Sequence, residues 1–237
     1  MTRRIVTRRT VRSPKLKRAW TFAVVSDLHN GAYDDVLETM RTVDGILLVG
    51  DLFDRHRLAY ARAAQFLLDA PKCAPTYFAI GNHEWKAENR AEFWPLVEKS
   101  DVQVLDNRCV SLGDITLGAI SSCPRAEINL SVLDELSQAE GFRLLMCHHP
   151  EWHEAYVRGR DIDLTLSGHA HGGQVQLFGR GLYAPGQGIL PRYTHGWYDH
   201  GRLLVSRGMH NSIGLPRWNN PCEMILLHLA PGEEAYE

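Results

Sequence analysis

Short apolar runs recur along the first eighty residues and are separated by stretches with helical spacing. Buried strands are predicted at Trp20 to Val25, Gly45 to Val49 and Thr76 to Ile80. Apolar positions three to four apart predict helices at Tyr33 to Arg41 and His56 to Ala70. Strands that alternate with helices usually pair in parallel, because each helix carries the chain back across the sheet. The pattern therefore predicts an α/β fold.

The first residues predict a different element. Polar and apolar side chains alternate from Arg3 to Arg12, which suits an edge strand, and Ser13-Pro14 predicts a turn. We expect this strand to form an opening hairpin with Trp20 to Val25.

After residue 86 the elements become shorter. Ala87 to Lys99 predicts a helix that Pro95 kinks or ends near Trp94, because proline cannot donate a helical hydrogen bond. Asn129 to Glu140 predicts another helix. Gly113-Asp114 predicts a hairpin turn, and further strands are predicted at Val102 to Leu105, Arg108 to Leu112, Ile115 to Ile120, Phe142 to Cys147, Ile162 to Ser167, Gln174 to Phe178, Arg202 to Ser206 and Met224 to Leu229. The segment from Gly179 to Gly201 has little periodicity, and a long loop of this kind is more often functional than structural.

Length and composition favour one domain. The chain has 237 residues, of which 44% are hydrophobic and 23% charged, so we expect a single α/β domain over residues 1–237. The net charge is only -2, but residues 1–18 hold eight basic residues and no acidic one. Such a basic arm suits either contact with anionic lipid or nucleic acid, or a solvated edge strand protected by charge. The edge strand is favoured, peripheral contact with an anionic membrane stays open, and no nucleic-acid partner is predicted.

The cysteines indicate a reducing compartment. There are five, an odd number, and none forms a C-x-x-C pair, so neither a disulfide framework nor a cysteine zinc site is supported. No apolar core follows the basic N-terminus, and no run of 18 apolar residues occurs. We expect neither a signal peptide nor a membrane span, and cytoplasm is the default location.

Five polar motifs each follow an apolar run, where catalytic loops gather at the carboxyl ends of strands. In chain order they are Ser26-Asp27-Leu28-His29, Gly50-Asp51, Gly81-Asn82-His83-Glu84, His148-His149-Pro150 and Ser167-Gly168-His169-Ala170-His171-Gly172. In extended backbone, residues two apart share a face, so Asp27 with His29, or His169 with His171, can grip one metal ion. Each triplet alone is weak, but five motifs in this order are specific.

These motifs resemble the calcineurin-like metallophosphoesterases, and the resemblance extends from Phe22 to about Leu229. It implies a four-layer α/β/β/α sandwich of two mixed sheets around a dinuclear metal site. The implied ligands are Asp27, His29, Asp51 and His171 for the first ion, and Asp51, Asn82, His148 and His169 for the second. Asp51 bridges the two ions. His83 resembles the family's non-ligand histidine, which protonates the leaving group or stabilises the transition state.

The expected chemistry is hydrolysis of a phosphodiester or pyrophosphate by a metal-bridging hydroxide. Two divalent ions against two carboxylates leave a net positive site, which favours a phosphate oxyanion and acidifies bound water. Imidazole-rich ligation favours manganese, iron, zinc or cobalt over magnesium, and manganese is our first expectation. The alternatives are a nucleotide, cyclic-nucleotide or phosphoprotein phosphatase on the same site, and a non-catalytic metal-binding scaffold.

The glycine-rich segments indicate a branch of the family. Gly172-Gly173-Gln174 and the tail from Ser206 to Pro216 resemble the branch that includes a UDP-2,3-diacylglucosamine pyrophosphatase, whose members often carry an N-terminal membrane helix. This sequence shows no such helix, so the substrate class left open is a small phosphoester or a lipid-linked one.

Several further residues are weaker candidates. Asp54 either orients a ligand histidine or caps the helix from His56, and Glu84 either orients a metal ligand or is a charge at a helix entry. Lys86 and Arg125 are candidates for contact with a substrate phosphate, and His149 is the less certain neighbour of His148. An apolar wall over the substrate, or simple packing of the long loop, is expected from Tyr183, Pro185, Tyr193, Trp197 and Tyr198.

Overall fold

The computed structural model describes residues 4–56, 59–86, 88, 90–124, 127–211 and 216–237. Within these residues the strands are, in chain order, β1 (Arg4–Ser13), β2 (Trp20–Val25), β3 (Gly45–Val49), β4 (Thr76–Ala79), β5 (Gln103–Leu105), β6 (Arg108–Leu112), β7 (Ile115–Ile120), β8 (Phe142–Cys147), β9 (Leu164–Ser167), β10 (Gln176–Leu177), β11 (Arg180–Gly181), β12 (Tyr183–Ala184), β13 (Gly188–Ile189), β14 (Gly196–Tyr198), β15 (Leu203–Val205), β16 (Cys222–Pro231) and β17 (Ala235–Tyr236). The α-helices are α1 (Leu37–Met40), α2 (Ala61–Cys73), α3 (Asn82–Trp85), α4 (Arg90–Glu98) and α5 (Ser131–Gln138).

Two mixed sheets hold the longer strands. The first has the order β17-β1-β16-β2-β3-β4-β5, and the second has the order β14-β15-β9-β8-β7-β6. In the first sheet β2 to β5 are parallel, as the strand and helix alternation predicts. The predicted hairpin of β6 and β7 around Gly113-Asp114 is also present.

The prediction that β1 and β2 form an opening hairpin is wrong. β16 lies between β1 and β2, parallel to β1 over ten residue pairs and antiparallel to β2. β16 is buried along nearly its whole length, which is typical of a strand inside a sheet, whereas β1 alternates between partly buried and exposed positions. No pattern within residues 1–25 could reveal a partner at the other end of the chain.

Some of the basic residues of the N-terminal segment are bound within the fold. Arg4 pairs with Asp35 and donates to the Met209 carbonyl, and Lys15 Nζ lies 2.7 Å from Asp163 Oδ1. Arg18 Nη1 lies 3.0 Å from an oxygen of Asp44. These residues therefore belong to a strand of the first sheet and its following turn. Contact of residues 1–18 with an anionic membrane stays a prediction.

The helices differ from the predictions in several places. α1 covers only part of the range predicted from Tyr33 to Arg41, and α2 begins at Ala61 instead of His56. α3 was not predicted, and α4 continues through Pro95 instead of ending near Trp94. Phe93 and Val97, on either side of Pro95, are both buried, and Phe93 stacks on Phe53 with ring centroids 4.3 Å apart. Packing on both sides of the proline holds the helix together despite the missing hydrogen bond.

Four layers follow from three groups of buried side chains. Outside the first sheet, α1, α2 and α4 pack through residues such as Met40, Phe66 and Phe93. Between the sheets lies a second core that includes Leu47 and Leu144. On the far side of the second sheet, α5 packs in a third group, through Val132, Leu133 and Leu136. The predicted α/β/β/α sandwich is confirmed.

The segment predicted as an aperiodic loop contains short strands. β10 pairs with β11 and β12 with β13 as two small hairpins, and β14 joins the edge of the second sheet. Among the described residues, no helix has the length and apolar character needed to cross a membrane.

Candidate metal centre

The seven predicted ligands converge where strands of both sheets end. All seven are buried: Asp27 and His29 follow β2, Asp51 follows β3, Asn82 begins α3, His148 follows β8, and His169 and His171 follow β9. Their potential ligand atoms form sets within 4.8 Å, namely Asp27 with His29 and His171, His29 with Asp51 and His83, and Asp51 with His148 and His169. Asp51 and His29 each belong to two of these sets, so together they connect the halves of the site. Asn82 lines the same cavity as Asp51.

The separations between these atoms suit ions placed between them. Asp51 Oδ2 lies 3.1 Å from His148 Nε2 and 3.9 Å from His29 Nε2. Asp27 Oδ1 lies 3.8 Å from His29 Nε2 and 3.5 Å from His171 Nε2. Two atoms that bind one ion at about 2.1 Å are roughly 3 to 4 Å apart, so both carboxylates are spaced for coordination.

The backbone brings the ligands together in a way that the sequence did not predict. Five of them adopt left-handed backbone, with φ of 52° at Asp27, 46° at His29, 55° at Asp51, 66° at His169 and 47° at His171. The alternation of extended strands is therefore not the reason that residues two apart converge. Non-glycine residues in this region are strained, and such strain concentrates at functional sites.

Hydrogen bonds between the loops hold this backbone. The amides of Asp27 and His29 donate to the carbonyls of Gly50 and Asp51, each at 3.1 Å. The amide of His169 donates to the carboxylate of Asp27 at 3.1 Å. The first, second and fifth motifs therefore fix one another's positions.

Glu84 organises the loop around Asp51. One oxygen of its carboxylate accepts from the amides of Asp51 at 2.9 Å and Gly81 at 2.8 Å, and the other accepts from Phe53 at 3.0 Å. The side chain is fully buried. Burial, together with the charge of Asp51, raises the pKa of Glu84 to about 7. Both sequence interpretations apply, because Glu84 holds the backbone of Asp51 and also accepts from the amide of Gly81 at the entry of α3.

Burial and neighbouring charges shift the pKa values of the residues at the centre. Burial alone would raise the pKa of Asp51, but His148 and His83 hold it well below its usual range. Burial alone would lower the pKa of His148, but Asp51 raises it to about 10. Burial lowers the pKa of His171 to about 3. Both carboxylates are thus charged at neutral pH, since the pKa of Asp27 is also lowered, its burial being outweighed by His171 and His29.

Buried polar atoms at the centre fit bound cations. Both ring nitrogens of His29 and the side-chain oxygen of Asn82 are buried and have no hydrogen-bond partner among the described residues. Buried polar atoms are nearly always satisfied, so atoms of this kind that face two carboxylates suit metal ligation. Nitrogen and oxygen donors rich in imidazole fit divalent first-row transition metals.

His171 carries one additional contact. Arg217 Nη2 lies 3.1 Å from His171 Nδ1, and a guanidinium can only donate, so Nδ1 accepts in this arrangement. A neutral ring that binds an ion through Nε2 carries its proton on Nδ1. Metal binding through Nε2 therefore requires this contact with Arg217 to shift.

His83 is placed beside the ligands and faces the cavity. Its Nδ1 accepts from the amide of Arg55 at 3.2 Å, which leaves the proton of a neutral ring on Nε2, 3.9 Å from Asp51 Oδ2. Burial lowers the pKa of His83 to about 4. Asp54 lies 3.6 Å from His83 Nδ1 and also accepts from the amide of His56 at 3.0 Å, so it contacts both the histidine and the following turn.

A cavity of about 540 Å³ opens over the centre. Besides predicted ligands, its lining includes Lys86, Tyr183 and Pro185, as the sequence predicts, and also Arg55, His56, His149, Glu151 and Gly186. Tyr193, Trp197 and Tyr198 pack within the fold, so simple packing applies to them. Arg125 lies outside the described residues.

Sequence reasoning missed Glu151. His149, Glu151 and His169 offer ligand atoms within 4.8 Å of one another, and His149 Nδ1 lies 3.3 Å from Glu151 Oε1. The signal was the position of Glu151 directly after the fourth motif. Arg217 was also missed, since no local pattern links it to His171.

Comparison with known proteins agrees with this geometry. Residues 21–173 match the model of the family described as calcineurin-like phosphoesterase. Phosphodiesterase YaeI of Escherichia coli is 31% identical over 206 residues, which cover 78% of this chain and 70% of that protein. An uncharacterized metallophosphoesterase of Campylobacter jejuni is 27% identical over 236 residues, covering 92% of this chain and 61% of its own length. The chain thus spans about three fifths of that relative.

A solved structure shows the same fold at low identity. NAD nucleotidase of Haemophilus influenzae aligns with a TM-score of 0.51 and 14% identity, covering 65% of this chain and 38% of that chain. The match of a family model to residues 21–173 and the arrangement of the motifs lead to one conclusion: the chain belongs to the calcineurin-like phosphoesterase family.

Proposed function

We propose that this chain is a phosphohydrolase that uses two divalent metal ions to cleave a phosphodiester or pyrophosphate bond. The observation that carries the proposal is the position of Asp51, which is shared by two sets of potential ligands. The first ion would be held by Asp27, His29, Asp51 and His171, and the second by Asp51, Asn82, His148 and His169. Manganese is the first choice, with iron, zinc and cobalt as alternatives.

Bound metal ions would polarise the phosphoryl group and activate water at neutral pH. The residues of the chain prepare the surroundings. The buried loops hold the ligands in place, and His83 presents its Nε2 proton toward the cavity, where it donates a hydrogen bond to the departing or equatorial oxygen of the substrate. Since Nδ1 accepts from Arg55, the geometry favours a neutral donor over a doubly protonated acid.

The lining of the cavity favours a phosphodiester or pyrophosphate as the substrate. Arg55, His56 and Lys86 lie on its wall, where they can contact a second anionic group, and Tyr183 and Pro185 offer apolar surface. The similarity to Escherichia coli phosphodiesterase YaeI points to the same class. A lipid-linked phosphoester is one member of that class.

The test is hydrolysis of bis-p-nitrophenyl phosphate by protein reloaded with manganese. We expect metal-dependent hydrolysis, a loss of roughly a hundredfold in His83→Ala because one transition-state donor is removed, and a larger loss in Asp51→Asn. Asp101→Asn, at an exposed position, is the matched control and should retain full activity. Wild-type protein that binds manganese but hydrolyses neither this diester, p-nitrophenyl phosphate nor a nucleotide sugar would favour the scaffold instead.

A further inference from the structure

Exposed apolar side chains are concentrated in one part of the molecule. Nine large hydrophobic residues are exposed among those that the structure describes, and six lie between residues 177 and 218: Leu177, Phe178, Tyr183, Ile189, Leu190 and Trp218. Phe178 is fully exposed, and Ile189 is 81% exposed. Single exposed hydrophobic residues are normal, but a concentration of this kind marks an interaction surface.

These residues belong to two adjacent hairpins. Leu177 pairs with Arg180, so Phe178 lies in the turn between β10 and β11, and Ile189 lies in β13 of the second hairpin. The amide of Leu190 donates to Leu182, whose own amide donates to Val175, which joins the hairpins. We define the hairpin surface as Leu177, Phe178, Ile189, Leu190 and Trp218.

Trp218 lies beside the first hairpin. Val175 forms a parallel bridge with Trp218, and the amide of Gln176 donates to the Trp218 carbonyl at 3.0 Å. Residues two apart on a strand share a face, so Val175 and Leu177 lie on the same face. Trp218 is bridged to Val175 and therefore lies on that face as well. On the other side, Gly179 and Arg180 share a cleft with Leu190 and Arg192, which brings the turn of the first hairpin close to the end of the second.

The charge around the hairpin surface is positive. From His171 to Tyr198 the sequence has two arginines, Arg180 and Arg192, and no acidic residue, although the whole chain has a net charge of -2. Arg192 pairs with the exposed Glu154, with Nη2 3.3 Å from Glu154 Oε2. Arg180 is exposed and makes no ion pair with any described residue.

The shape of the hairpin surface suits a lipid interface better than a rigid protein. The apolar side chains are distributed over two hairpins and the neighbouring Trp218, and all are exposed, so a rigid protein partner would need a separate pocket for each. A lipid interface accepts such protrusions without pockets. Tryptophan, phenylalanine and leucine beside arginine form the combination that partitions into the region between headgroups and acyl chains.

We infer that the hairpin surface docks this chain on an anionic lipid bilayer, with Phe178, Ile189, Leu190 and Trp218 entering the interface while Arg180 contacts lipid phosphate. The surface is distinct from the metal centre, but β12 connects the two, since Tyr183 lines the cavity. Docking would therefore place the cavity mouth close to the membrane.

Vesicle flotation tests this inference with the intact chain. We expect binding to vesicles of phosphatidylcholine with roughly one-third phosphatidylglycerol and weaker binding to phosphatidylcholine alone. Phe178→Ser combined with Leu190→Ser should weaken binding by roughly tenfold or more, because two anchors are lost. The matched control is Val6→Ser combined with Leu68→Ser, which removes two exposed apolar side chains elsewhere and should bind as wild type does.

The charge is tested separately. Arg180→Glu should weaken binding to the anionic vesicles severalfold, and Arg62→Glu, on the exposed side of α2, should not. Every variant should keep its thermal midpoint and its hydrolysis of a soluble diester, which shows that the fold is intact.

Four results would overturn the inference: wild type that does not float with anionic vesicles, equal binding of neutral vesicles, unchanged binding by the Phe178 and Leu190 double variant, or sedimentation showing a dimer that this double variant dissociates. The last would identify the hairpin surface as a contact between two copies.

Discussion

The metal centre and the hairpin surface are both built from loops with left-handed residues, yet they are held in opposite ways. At the metal centre, Asp27 and Asp51 are buried and bonded to loops distant in sequence. In the hairpins, Phe178 and Leu190 also have positive φ but are exposed, and the strands that carry them pair locally. Positive φ by itself therefore does not mark the reactive site. Burial together with long-range hydrogen bonds does.

This difference predicts how each region responds to change. The loops of the metal centre constrain one another, so a small intrusion should spread to several ligands. The turn of the first hairpin is exposed and its strands pair locally, so a similar change there should stay local.

The largest difference is expected when one glycine in each region is replaced by alanine. Gly81 has ordinary backbone, with φ of -88°, but a Cβ there would lie 2.3 Å from both the amide and Oδ1 of Asp51. Gly179 has φ of +76°, and nothing lies within 4 Å of its Cβ position. We expect Gly81→Ala to lower kcat/KM roughly a hundredfold by displacing Asp51. Gly179→Ala should lower the free energy of unfolding by about 1 kcal/mol and leave kcat/KM unchanged.

Diester hydrolysis and urea denaturation of both variants provide the measurements. Equal losses of kcat/KM in the two variants would contradict the proposed difference between the regions, because the hairpin would then be coupled to the metal centre.

A smaller effect is expected when Glu84 loses one acceptor. Glu84→Gln turns an oxygen that faces backbone amides into a donor, so Asp51, Gly81 or Phe53 loses its partner. We expect kcat/KM to fall by about 10- to 100-fold, as for other groups that orient a metal ligand, with a loss of roughly 1 to 3 kcal/mol in the free energy of unfolding. Glu92→Gln, on the exposed side of α4, is the control and should change neither quantity. A Glu84→Gln protein with wild-type kinetics would show that Asp51 is positioned without it.

The sequence indicated where the candidate metal ligands converge better than it indicated the hairpin surface, for a physical reason. Strands such as β3 and β8 are long apolar runs, so their ends are visible, and the motifs at those ends can be recognised. β10 to β13 have two residues each, too few for any periodicity to show. Their conformation depends on glycines and on contacts between the hairpins.

Distant partners were the other limit. The pairing of β16 with β1, the contact of Arg217 with His171, and the hydrogen bonds that Glu84 accepts from the amides of Asp51 and Phe53 join residues far apart in sequence. Hydrophobic spacing identifies an element and its buried face but says nothing about which element lies next to it. For the same reason, the convergence of the ligands was expected from extended strands, whereas left-handed turns produce it.

The smallest effect should occur at Tyr183, where the two regions meet. Tyr183 belongs to the second hairpin but lines the cavity, whereas Phe178 in the first hairpin does not line it. We expect Tyr183→Ala to raise KM for a soluble diester by about three- to tenfold with kcat unchanged, because an apolar contact that is equal in the ground and transition states is lost. Phe178→Ala should alter neither constant. A fall in kcat for Tyr183→Ala at constant KM would mean that the hairpin acts on the reacting phosphate itself, and the separation between a chemical region and a docking region would have to be abandoned.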